Sequence, residues 1–571
     1  MIAQVLPDVP AIDRVFDYAV PPELEPAVRV GTMVRIPLHG RRVGGWVVGT
    51  SDEAGTDRPL QAIAKVRGYG PPSDLVDLAS WAAWRWAGPR PTFLRTASPV
   101  NAVRGLPDRT VPAPAAAPAV AGELAAEAFA GAGAVLRLPP ARDVYPIVFE
   151  AARRGSALVL SPSVGQAAHL ALRLKRAGIN AVQHPRDWAR AAAGGCTVVG
   201  ARAAAWAPVP DLAAVVVVDE HDETYQEERA PTWNARDVAV ERARRAGVPC
   251  VLVSPCPSLE SLAALPLLTA SRNDERAGWP VVEVVDRRKE APGLGLYSAR
   301  LVDVVRGGGR VVCVLNRKGR ARLLACANCG ELARCETCQA AVEQTSEGGL
   351  ACRRCGTERP VVCAPCGATR LKTVRVGVTR AREDLERLAG RPVLEVTGDD
   401  AGPVPDAAVL VGTEAVLHRV DRADVVAFLD FDQEQLAPRY RAAEEALALL
   451  VRAARLVGGR DGGRVLVQTR VPGHEAIDAA VHADPGRLAV VEGARRAALQ
   501  FPPETALALL SGDGAPAYAA ALGGAGVDVL GPAAGGRFLV RAPDHQGLCD
   551  RLAAVARPSA RLRVAVDPLR A

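Results

Sequence analysis

The segment 326–338 reads CANCGELARCETC, and it is followed by CRRC at 352–355 and CAPC at 363–366. These stretches contain four Cys-x-x-Cys pairs: Cys326/Cys329, Cys335/Cys338, Cys352/Cys355 and Cys363/Cys366. Two cysteines three positions apart on a tight turn place both thiolates on one side, and two such pairs complete a tetrahedral Zn²⁺ site. The eight thiolates therefore predict two closed structural zinc sites with no open position for catalysis. A disulfide framework and an iron–sulfur cluster are the alternatives, because cysteines hold these as well.

The spacing alone leaves open which cysteine pairs share a metal. Sequential pairing joins the first pair to the second and the third to the fourth, whereas nested pairing joins the inner two pairs and the outer two. The six-residue step from Cys329 to Cys335 leaves little chain to wrap around one metal, which slightly favours nesting. Small buried hydrophobic residues are the expected role of the remaining cysteines, which are Cys196, Cys250, Cys256, Cys313 and Cys549.

Apolar strands alternate with helical patterns on both sides of the cysteine block. Before it, apolar runs at 157–160, 197–199, 212–218 and 249–253 alternate with helical patterns such as 164–176 and 236–245. A second set begins at 311–315 and resumes after the cysteines, at 393–396, 407–411, 425–429 and 465–468. This βαβ rhythm predicts two parallel sheets covered by helices on both faces, with the cysteines inserted into the second unit.

The two ends of the chain have a different pattern. Residues 1–105 read as short strands separated by Pro/Gly turns, followed by a tryptophan-rich helix. Residues 106–133 are rich in proline and alanine and predict a linker that ends in a short helix. Residues 499–571 predict a small α+β domain. The fold class expected from the whole chain is therefore multidomain α/β.

Composition restricts the function less than the motifs do. The chain has 571 residues, 49% of them hydrophobic, which excludes disorder as the main theme and predicts several domains. No apolar run reaches the ~18 residues of a membrane span, and no export signal is visible. We therefore expect a cytoplasmic protein without a membrane partner. The net charge of +7 is compatible with nucleic-acid binding but does not require it.

Several motifs together resemble the primosomal protein N′ (PriA) family of replication-restart DNA helicases. The matching stretches are VFDYAVP at 15–21, GARAA at 200–204, DEHDETY at 219–225, ARDVAV at 235–240, SPCPSLES at 254–261, LNRKG at 315–319, the cysteine block, VGTEAVL at 411–417, LQFPP at 499–503 and VDP at 566–568. In this family the inner cysteine pairs share one zinc and the outer pairs share the other. The resemblance thus implies one site from Cys335, Cys338, Cys352 and Cys355, and a second from Cys326, Cys329, Cys363 and Cys366.

The resemblance also implies a domain order. It assigns a mostly-β domain that binds the 3′ end of a DNA strand to residues 1–105, and a RecA-like first lobe to 134–305. A RecA-like second lobe would comprise 306–320 and 370–498, around a two-zinc insertion at 321–369, and a C-terminal domain would follow at 499–571. The family usually places a winged-helix domain before the first lobe. Only the short Pro/Ala-rich linker stands there in this chain, so we expect the winged helix to be missing or vestigial.

ATP and Mg²⁺ are the family's cofactors, but the residues that would bind them are changed in this chain. A phosphate-binding loop needs Gly-Lys-Ser/Thr at a helix start, and none of the five lysines follows a glycine. The corresponding stretch is RLPPARDVY at 137–145, where Ala141 and Arg142 replace the lysine and the hydroxyl residue. We therefore predict a degenerate nucleotide site formed by Ala141, Arg142, Asp219, Glu220 and His221.

Other helicase motifs of the family differ in this chain as well. The family's Asp-Glu-Glu-His aligns with Val218-Asp219-Glu220-His221, although a one-residue slip would restore an Asp-Glu pair. His418-Arg419 stand where the family carries Lys-Gly, and the arginine-finger position is Gly459 unless a slip brings in Arg460. Fingers contribute roughly 10³–10⁵ in rate, so we expect these changes together to abolish useful ATP hydrolysis.

The family's pocket for the strand's 3′ end implies roles for three residues. By this resemblance, Phe16 stacks on the terminal base, Asp17 accepts a hydrogen bond from the 3′-hydroxyl, and Tyr18 completes the loop. Without the resemblance, Phe16 and Tyr18 would equally fit a core beside a strand entry. A lysine typical of this pocket is replaced by Gln61.

The leading functional hypothesis is a zinc-containing replication-restart protein of the primosome. By resemblance it would bind forked DNA with a nascent 3′ end, contact single-stranded DNA-binding protein and helicase-loading primosome proteins, and act in the nucleoid. It would promote reloading of the replicative helicase without unwinding DNA itself. The alternatives are an active ATP-dependent 3′-to-5′ helicase with a divergent nucleotide site, and a zinc-ribbon binding module with a regulatory or RNA role.

Overall fold

The structure is a computed structural model that describes the chain except at residues 11, 54–58, 110–122, 289–295, 316–323, 346–347, 374–377, 399–401, 525, 534 and 571. Residues 110–122 of the predicted linker and residues 316–319 of the LNRKG stretch lie outside the described residues. The missing winged helix therefore stays a prediction. No helix in the described part of the chain is long and apolar enough to span a membrane.

The N-terminal unit is an antiparallel sheet followed by two helices. Its elements are β1 Ile2–Pro7, β2 Phe16–Ala19, β3 Met33–Leu38, β4 Arg41–Ser51, β5 Lys65–Gly68, α1 Ser73–Arg85 and α2 Arg90–Ala97. The strand order is β2-β1-β4-β3-β5. Residues along β1 alternate between faces, so Ala3 and Val5 are buried while Gln4 is exposed. One face of the sheet therefore forms a small core of its own.

The first lobe is a seven-stranded sheet in which every recorded pair is parallel. Its elements are α3 Glu123–Ala128, β6 Gly133–Arg137, α4 Tyr145–Arg153, β7 Ser156–Leu160, α5 Val164–Arg176, β8 Ala181–His184, α6 Trp188–Ala193, β9 Thr197–Gly200, β10 Leu212–Val218, α7 Ala235–Ala246, β11 Cys250–Ser254, α8 Leu259–Ala264, β12 Leu267–Thr269 and α9 Arg272–Ala277. The order is β12-β6-β11-β10-β7-β9-β8. Because helices cover both faces, central strands such as β10 are continuously apolar.

The second lobe begins earlier than the sequence predicted. It opens with β13 Val281–Asp286, α10 Ala299–Arg306 and β14 Val311–Val314. β13 pairs in parallel with a strand near residue 465, on the edge of the second sheet. The predicted boundary at residue 305 is therefore wrong, because these first elements pack in the second lobe although they directly follow the first in sequence.

The cysteine module interrupts the second lobe after β14. It contains five short strands: β15 Leu324–Cys326, β16 Glu343–Gln344, β17 Leu350–Ala351, β18 Glu358–Arg359 and β19 Leu371–Thr373. β15 and β19 pair antiparallel and close the module at its base. The module therefore extends past the predicted limit at residue 369.

The second lobe resumes after the module and completes a six-stranded parallel sheet. The remaining elements are α11 Val378–Ala389, β20 Val393–Val396, β21 Val409–Gly412, α12 Ala415–Arg419, β22 Val425–Phe428, α13 Asp432–Gln435, α14 Ala442–Val457, β23 Arg464–Thr469, α15 Glu475–Val481 and α16 Gly486–Leu499. The order is β13-β23-β22-β14-β21-β20. The long helix α14 contributes buried residues to the core of this lobe and lies beside the first lobe.

The C-terminal domain has a βαββαβ arrangement. Its elements are β24 Ala506–Ser511, α17 Ala515–Leu522, β25 Asp528–Ala533, β26 Arg537–Ala542, α18 His545–Ala554 and β27 Arg563–Val566, in the sheet order β25-β26-β24-β27. Arg85 of the N-terminal unit donates a hydrogen bond to Asp567 at 2.6 Å. Thr232 of the first lobe donates to the carbonyl of Val566 at 2.7 Å. The C-terminal domain therefore joins the N-terminal unit to the first lobe.

The observed architecture confirms the predicted fold class. A mostly-β N-terminal unit, two parallel α/β lobes, a cysteine-rich insertion in the second lobe and a small α+β C-terminal domain are all present. The elements that position the candidate sites are the knuckle turns of the cysteine module, the end of β10, and α14.

Candidate metal centre and inter-lobe cleft

The cysteine pairs fold into four turns of the same kind. In each, the carbonyl of the first cysteine accepts a hydrogen bond from the amide four residues later, at 2.8–3.0 Å. The residue after the second cysteine has a positive φ in every turn: Gly330 at 77°, Gln339 at 61°, Gly356 at 76° and Gly367 at 70°. Three of these positions are glycine, which adopts this conformation without a steric penalty. Each pair of thiols is thus presented on one side of its turn.

The structure brings the eight thiols into two groups of four in the nested arrangement. One group contains Cys326, Cys329, Cys363 and Cys366, and the other contains Cys335, Cys338, Cys352 and Cys355. Between the turns of a group, the closest Sγ–Sγ distances are 3.4–3.6 Å. The residues that the family resemblance assigned to each zinc therefore lie together.

These groups fit a tetrahedral metal. All ligand atoms within a group lie within 4.8 Å of one another. Zinc–sulfur bonds of about 2.3 Å imply S–S distances of roughly 3.8 Å, whereas a disulfide needs about 2.05 Å. Four thiolates around one centre leave no open position, so the chemistry expected is structural. Either group could hold a metal ion, and the thiolate set matches zinc.

The two thiol groups differ in exposure and attachment. Cys329 and Cys366 are exposed, whereas three of the four cysteines of the inner group are buried. Next to the inner group, Arg354 donates to Glu492 of α16 at 3.1 Å, and both side chains are at least 95% buried. The inner group is therefore fixed to the second lobe, and the outer group, with two exposed and two buried cysteines, is the more exposed of the two.

Several amides of the loop between β6 and α4 are bonded within the protein. Its amides are engaged by carbonyl groups of the protein: Leu138 donates to Ser254 at 3.0 Å, Ala141 to Gly278 at 3.1 Å and Arg142 to Pro139 at 2.9 Å. Pro139 and Pro140 have no amide hydrogen to donate. The Arg142 side chain instead pairs with Asp274 at 2.5 Å on the surface. Three amides of the loop are thus engaged and its two prolines have none to donate, which disfavours phosphate binding.

The acidic segment after β10 is bound by arginines of the second lobe. Arg455 of α14 donates to both carboxylate oxygens of Asp219, one of them at 2.7 Å. Arg452 donates to Asp222 at 2.9 Å and to Glu414 at 2.6 Å. Burial opposes ionisation of Asp219, but the neighbouring Arg455 guanidinium prevails and holds the pKa of this carboxyl below its usual range. Asp219 is therefore an ionised partner of an arginine.

The other two residues of the predicted nucleotide site are also engaged. Glu220 is 2% exposed and accepts hydrogen bonds from the Ser258 amide at 2.8 Å and from the Ser258 and Ser261 hydroxyls. The Nδ1 atom of His221 lies 2.8 Å from the Ser254 hydroxyl. Burial lowers the pKa of His221, although nearby Asp219 raises it. This imidazole is therefore neutral at physiological pH and bonded within the first lobe.

A cavity of about 420 Å³ lies between the lobes beside these residues. It is lined by Glu220, Asp222, Glu414 and Arg441 among others, and neither Ala141 nor Arg142 borders it. The open volume is therefore away from the loop at which a nucleotide's phosphates would sit.

Comparisons with known proteins agree with this architecture. Residues 4–99 match the family model of a 3′ DNA-binding domain (3′BD). The probable replication restart protein PriA of Mycobacterium tuberculosis is 30% identical over 572 residues, covering 88% of this chain and 85% of that protein. The chain belongs to the PriA family of replication restart proteins.

Further PriA proteins and solved structures match less extensively. The Bacillus subtilis PriA is 28% identical over 344 residues, covering 55% of this chain and 43% of that protein. S. cerevisiae Dbp5 bound to RNA and ADP BeF3 matches at 11% identity with a TM-score of 0.36, covering 66% of this chain and 93% of that one. A DEAD box protein from Methanococcus jannaschii matches at 11% identity with a TM-score of 0.30, covering 67% of this chain and 89% of that one.

The three residues that the resemblance placed in a 3′-end pocket differ in how deeply they are buried. Tyr18 is 4% exposed, and its hydroxyl donates to the carbonyl of Pro37 at 2.8 Å. Phe16 is only partly buried, with the Arg14 guanidinium 5.5 Å from its ring centroid. Asp17 lies between them and therefore faces the opposite side of β2. Tyr18 therefore belongs to the domain core, the role that the sequence left open for it, and its part in a 3′-end pocket stays a prediction.

Sequence reasoning missed the second-lobe residues that bind the acidic segment. None of the motifs in the sequence singled out Arg452 or Arg455. Their spacing from Arg441 and Glu444 follows one helical face, and an acidic segment elsewhere in the chain offers partners of opposite charge. That combination was visible in the sequence, but it did not identify which carboxylates the arginines reach.

Proposed function

We propose that the protein recognises abandoned replication forks and promotes reloading of the replicative helicase without ATP-driven unwinding of its own. It would hold a nascent 3′ end with its N-terminal domain. By family resemblance, it would engage single-stranded DNA-binding protein and helicase-loading proteins of the primosome. Two Zn²⁺ ions would stabilise the cysteine module. Membership of the PriA family supports the general role, and the state of the inter-lobe cleft supports the absence of a motor.

The DNA end of this proposal rests on the N-terminal sheet. The 3′BD family model covers residues 4–99, and Phe16 offers a partly exposed ring at the start of β2. Aromatic rings stack on unpaired bases, and Asp17 has the acceptor oxygens that a terminal hydroxyl requires. Tyr18 fixes this strand to the domain core, because its hydroxyl donates a hydrogen bond to the Pro37 carbonyl. We therefore assign base stacking to Phe16 and hydroxyl recognition to Asp17.

The observation that carries the absence of a motor is the pairing of Asp219 with Arg455. Transfer of a phosphoryl group needs Mg²⁺, a phosphate cradle and a positioned water together. Asp219 and Glu220 would have to provide carboxylate oxygens for the ion or the water, yet both are bonded to protein donors. The loop amides that would hold the phosphates are bonded as well. Binding ATP would require breaking each of these contacts.

The metal would act through structure alone. Each thiol group offers four sulfur ligands, and four-thiolate zinc sites contribute folding energy rather than a reactive position. The chain's own residues then position the module. The inner group is anchored to α16 through Arg354, and the outer group is the more exposed of the two.

One experiment tests the proposal on a single zinc-loaded preparation. Binding would be measured on a fork with a free 3′-hydroxyl, on the same fork with a 3′-phosphate, and on equal lengths of single-stranded DNA and RNA. Each titration would be repeated at several salt concentrations, because phosphate contacts are sensitive to salt. ATP hydrolysis would be measured in the presence of the fork.

We expect preference for the free 3′-hydroxyl fork and hydrolysis no faster than background. Phe16→Ala should weaken fork binding by roughly 1–3 kcal/mol through lost stacking, whereas Tyr18→Phe should leave the preference for the hydroxyl intact. Fork-stimulated ATP turnover would favour the active helicase instead. Equal affinity for RNA and for both fork ends would favour the regulatory module.

A further inference from the structure

One face of α14 carries a line of charged residues directed at the first lobe. Arg441 immediately precedes the helix, and Glu444, Arg452 and Arg455 lie within it. These positions are three, eight and three residues apart, so they lie on the same side of an α-helix. The opposite side is apolar and packs in the core of the second lobe.

Every member of this charged face contacts the first lobe. The four cross-lobe contacts are Arg441 to Glu260 at 2.5 Å, the Leu259 amide to Glu444 at 3.1 Å, Arg452 to Asp222 at 2.9 Å and Arg455 to Asp219 at 2.7 Å. α16 adds a fifth contact, from Arg496 to Glu260 at 3.1 Å. The ionic face therefore spans the cleft from the start of α8 to the end of β10.

The first-lobe carboxylates in these contacts are shielded from water. The exposed fraction of the side chain is 16% for Glu260, 9% for Asp222 and 5% for Asp219. Replacing one of these arginines within the closed frame is costly, because it leaves a carboxylate that little water reaches to replace the hydrogen bonds. Separating the lobes would break all five contacts at once. The closed arrangement is therefore favoured by the chain itself.

A backbone contact closes the cleft at the other end of α14. The Arg460 amide donates to the Ala277 carbonyl in the first lobe at 3.0 Å. Beside it, a Cβ atom at Gly459 would lie only 2.4 Å from the same carbonyl oxygen, so glycine is required for this approach. The loop after α14 thus lies directly on the turn after α9.

We infer that the two lobes form a closed frame that needs no nucleotide and is locked by the ionic face of α14. In this frame, arginines of the second lobe hold the acidic segment of the first lobe permanently. The inference goes beyond the proposed function, because it concerns the resting arrangement of the lobes whatever DNA the protein binds. Its consequence is a fixed geometry for the attached parts, since the C-terminal domain contacts the first lobe and the cysteine module contacts α16.

The inference is tested by hydrogen–deuterium exchange of the full-length, zinc-loaded protein, with and without ATP and Mg²⁺. The test variant is Arg452→Ala combined with Arg455→Ala. The matched control is Arg300→Ala, which removes an equally close arginine–carboxylate pair, Arg300–Glu283 at 2.5 and 2.9 Å, within the second lobe. Peptides covering residues 212–226 report on the first-lobe side of the cleft.

We expect slow exchange of these peptides in the wild type, unchanged by ATP. In the double variant their exchange should be about 10-fold faster, because local opening no longer breaks the arginine pairs. The control should exchange like the wild type in the same peptides. Small-angle scattering should show a larger radius of gyration for the double variant alone.

Two results would overturn the inference. One is wild-type exchange in the double variant at unchanged zinc content and circular dichroism. The other is fast exchange in the wild type that ATP slows. Should the double variant fail to fold, Arg455→Lys is the alternative variant, because it keeps the charge but loses the bidentate contact with Asp219. Its exchange should rise about 3-fold. Wild-type exchange rates in this variant would contradict the inference. ATP hydrolysis is not a readout here, so this test can fail while the proposed function stands.

Discussion

The cysteine module and the inter-lobe cleft differ in how closely each follows the pattern of the PriA family. The module retains all eight thiols and brings them into two tetrahedral groups. The cleft has carboxylates that pair with arginines of the second lobe, and amides of the loop between β6 and α4 are bonded to protein carbonyls. A metal site must keep every ligand because the metal is part of the fold. A nucleotide site can lose its ligand if its buried charges gain partners within the protein.

The largest effect should come from removing a zinc ligand of the cysteine module. Cys352→Ser removes a ligand of the inner, buried group, and Cys366→Ser removes one of the outer, exposed group. Each should lower the bound zinc from about two to about one ion per chain, because three thiolates hold the metal poorly. Structural zinc contributes on the order of 10 kcal/mol to folding in small domains, so proteolysis of the module should accelerate sharply.

The control for the ligand variants is Cys196→Ser, a buried cysteine outside both groups, which should retain about two zinc ions. Elemental analysis gives the metal content and limited trypsin digestion gives the stability of the module. Retention of both ions in either ligand variant would contradict the assignment of four thiolates to each site.

The next effect concerns the attachment of the module to the second lobe. Glu492 is 1% exposed and accepts hydrogen bonds from Arg354 at 3.1 Å, Arg495 at 2.5 Å and Arg496 at 3.3 Å. Glu492→Ala should destabilise the protein by about 3–5 kcal/mol, because it leaves three arginines without this shared partner. Glu331→Ala breaks a partly exposed pair with Arg334 and should cost under about 1 kcal/mol. Urea titration followed by circular dichroism compares the two, and equal midpoints would contradict the proposed anchor.

The parts predictable from sequence are those whose signal is local. Cysteine spacing, glycine after three of the four pairs, and continuous apolar runs such as β10 each indicate their structure within a few residues. The lobe boundary was missed because β13 is a partly exposed edge strand whose partner, β23, lies about 180 residues away in sequence. Its hydrophobic pattern does not reveal which sheet it joins.

In the inter-lobe cleft, only the missing motif was predictable from the sequence. The sequence showed that no Gly-Lys-Ser/Thr stretch occurs, since that motif is contiguous. It did not show that Arg455 reaches Asp219, because an arginine on a helix is usually a solvated residue and the pair spans 236 positions. The sequence also left open whether Tyr18 lies in a pocket or in the core, and only its place in the folded sheet puts it in the core.

A smaller effect should appear on the cleft side as a dependence on pH. Burial and the neighbouring carboxylate of Glu223 raise the pKa of Glu445 from 4.5 to about 8. The folded protein therefore keeps a proton that the unfolded chain releases, so the free energy of unfolding falls as pH rises from about 4.5 to about 8 and is constant above that range. Glu445→Gln cannot lose a proton. It should melt roughly 2–4 °C above the wild type at pH 8.5 and near the wild-type temperature at pH 5.

Differential scanning fluorimetry across this pH range measures the difference. Glu504→Gln, a substitution in the loop before β24, supplies the control and should show no pH-dependent gain. A constant difference between Glu445→Gln and the wild type at all pH values would contradict the raised pKa of Glu445.

The smallest expected effect is the most discriminating for the comparison. A ligand that binds only the folded state adds about 2.7 kcal/mol of stability at 100 times its dissociation constant. Millimolar ATP with Mg²⁺ should therefore shift the melting temperature of any functional nucleotide site by several degrees. We expect a shift below about 1 °C here, because the loop amides and Asp219 are bonded to protein partners.

The double variant Ala141→Lys with Arg142→Thr should behave the same way, since restoring two side chains releases neither the amides bonded to carbonyls nor the carboxylate held by Arg455. A shift of several degrees in the double variant alone would mean that side-chain identity, rather than the closed backbone and the arginine lock, is what separates this cleft from a working one.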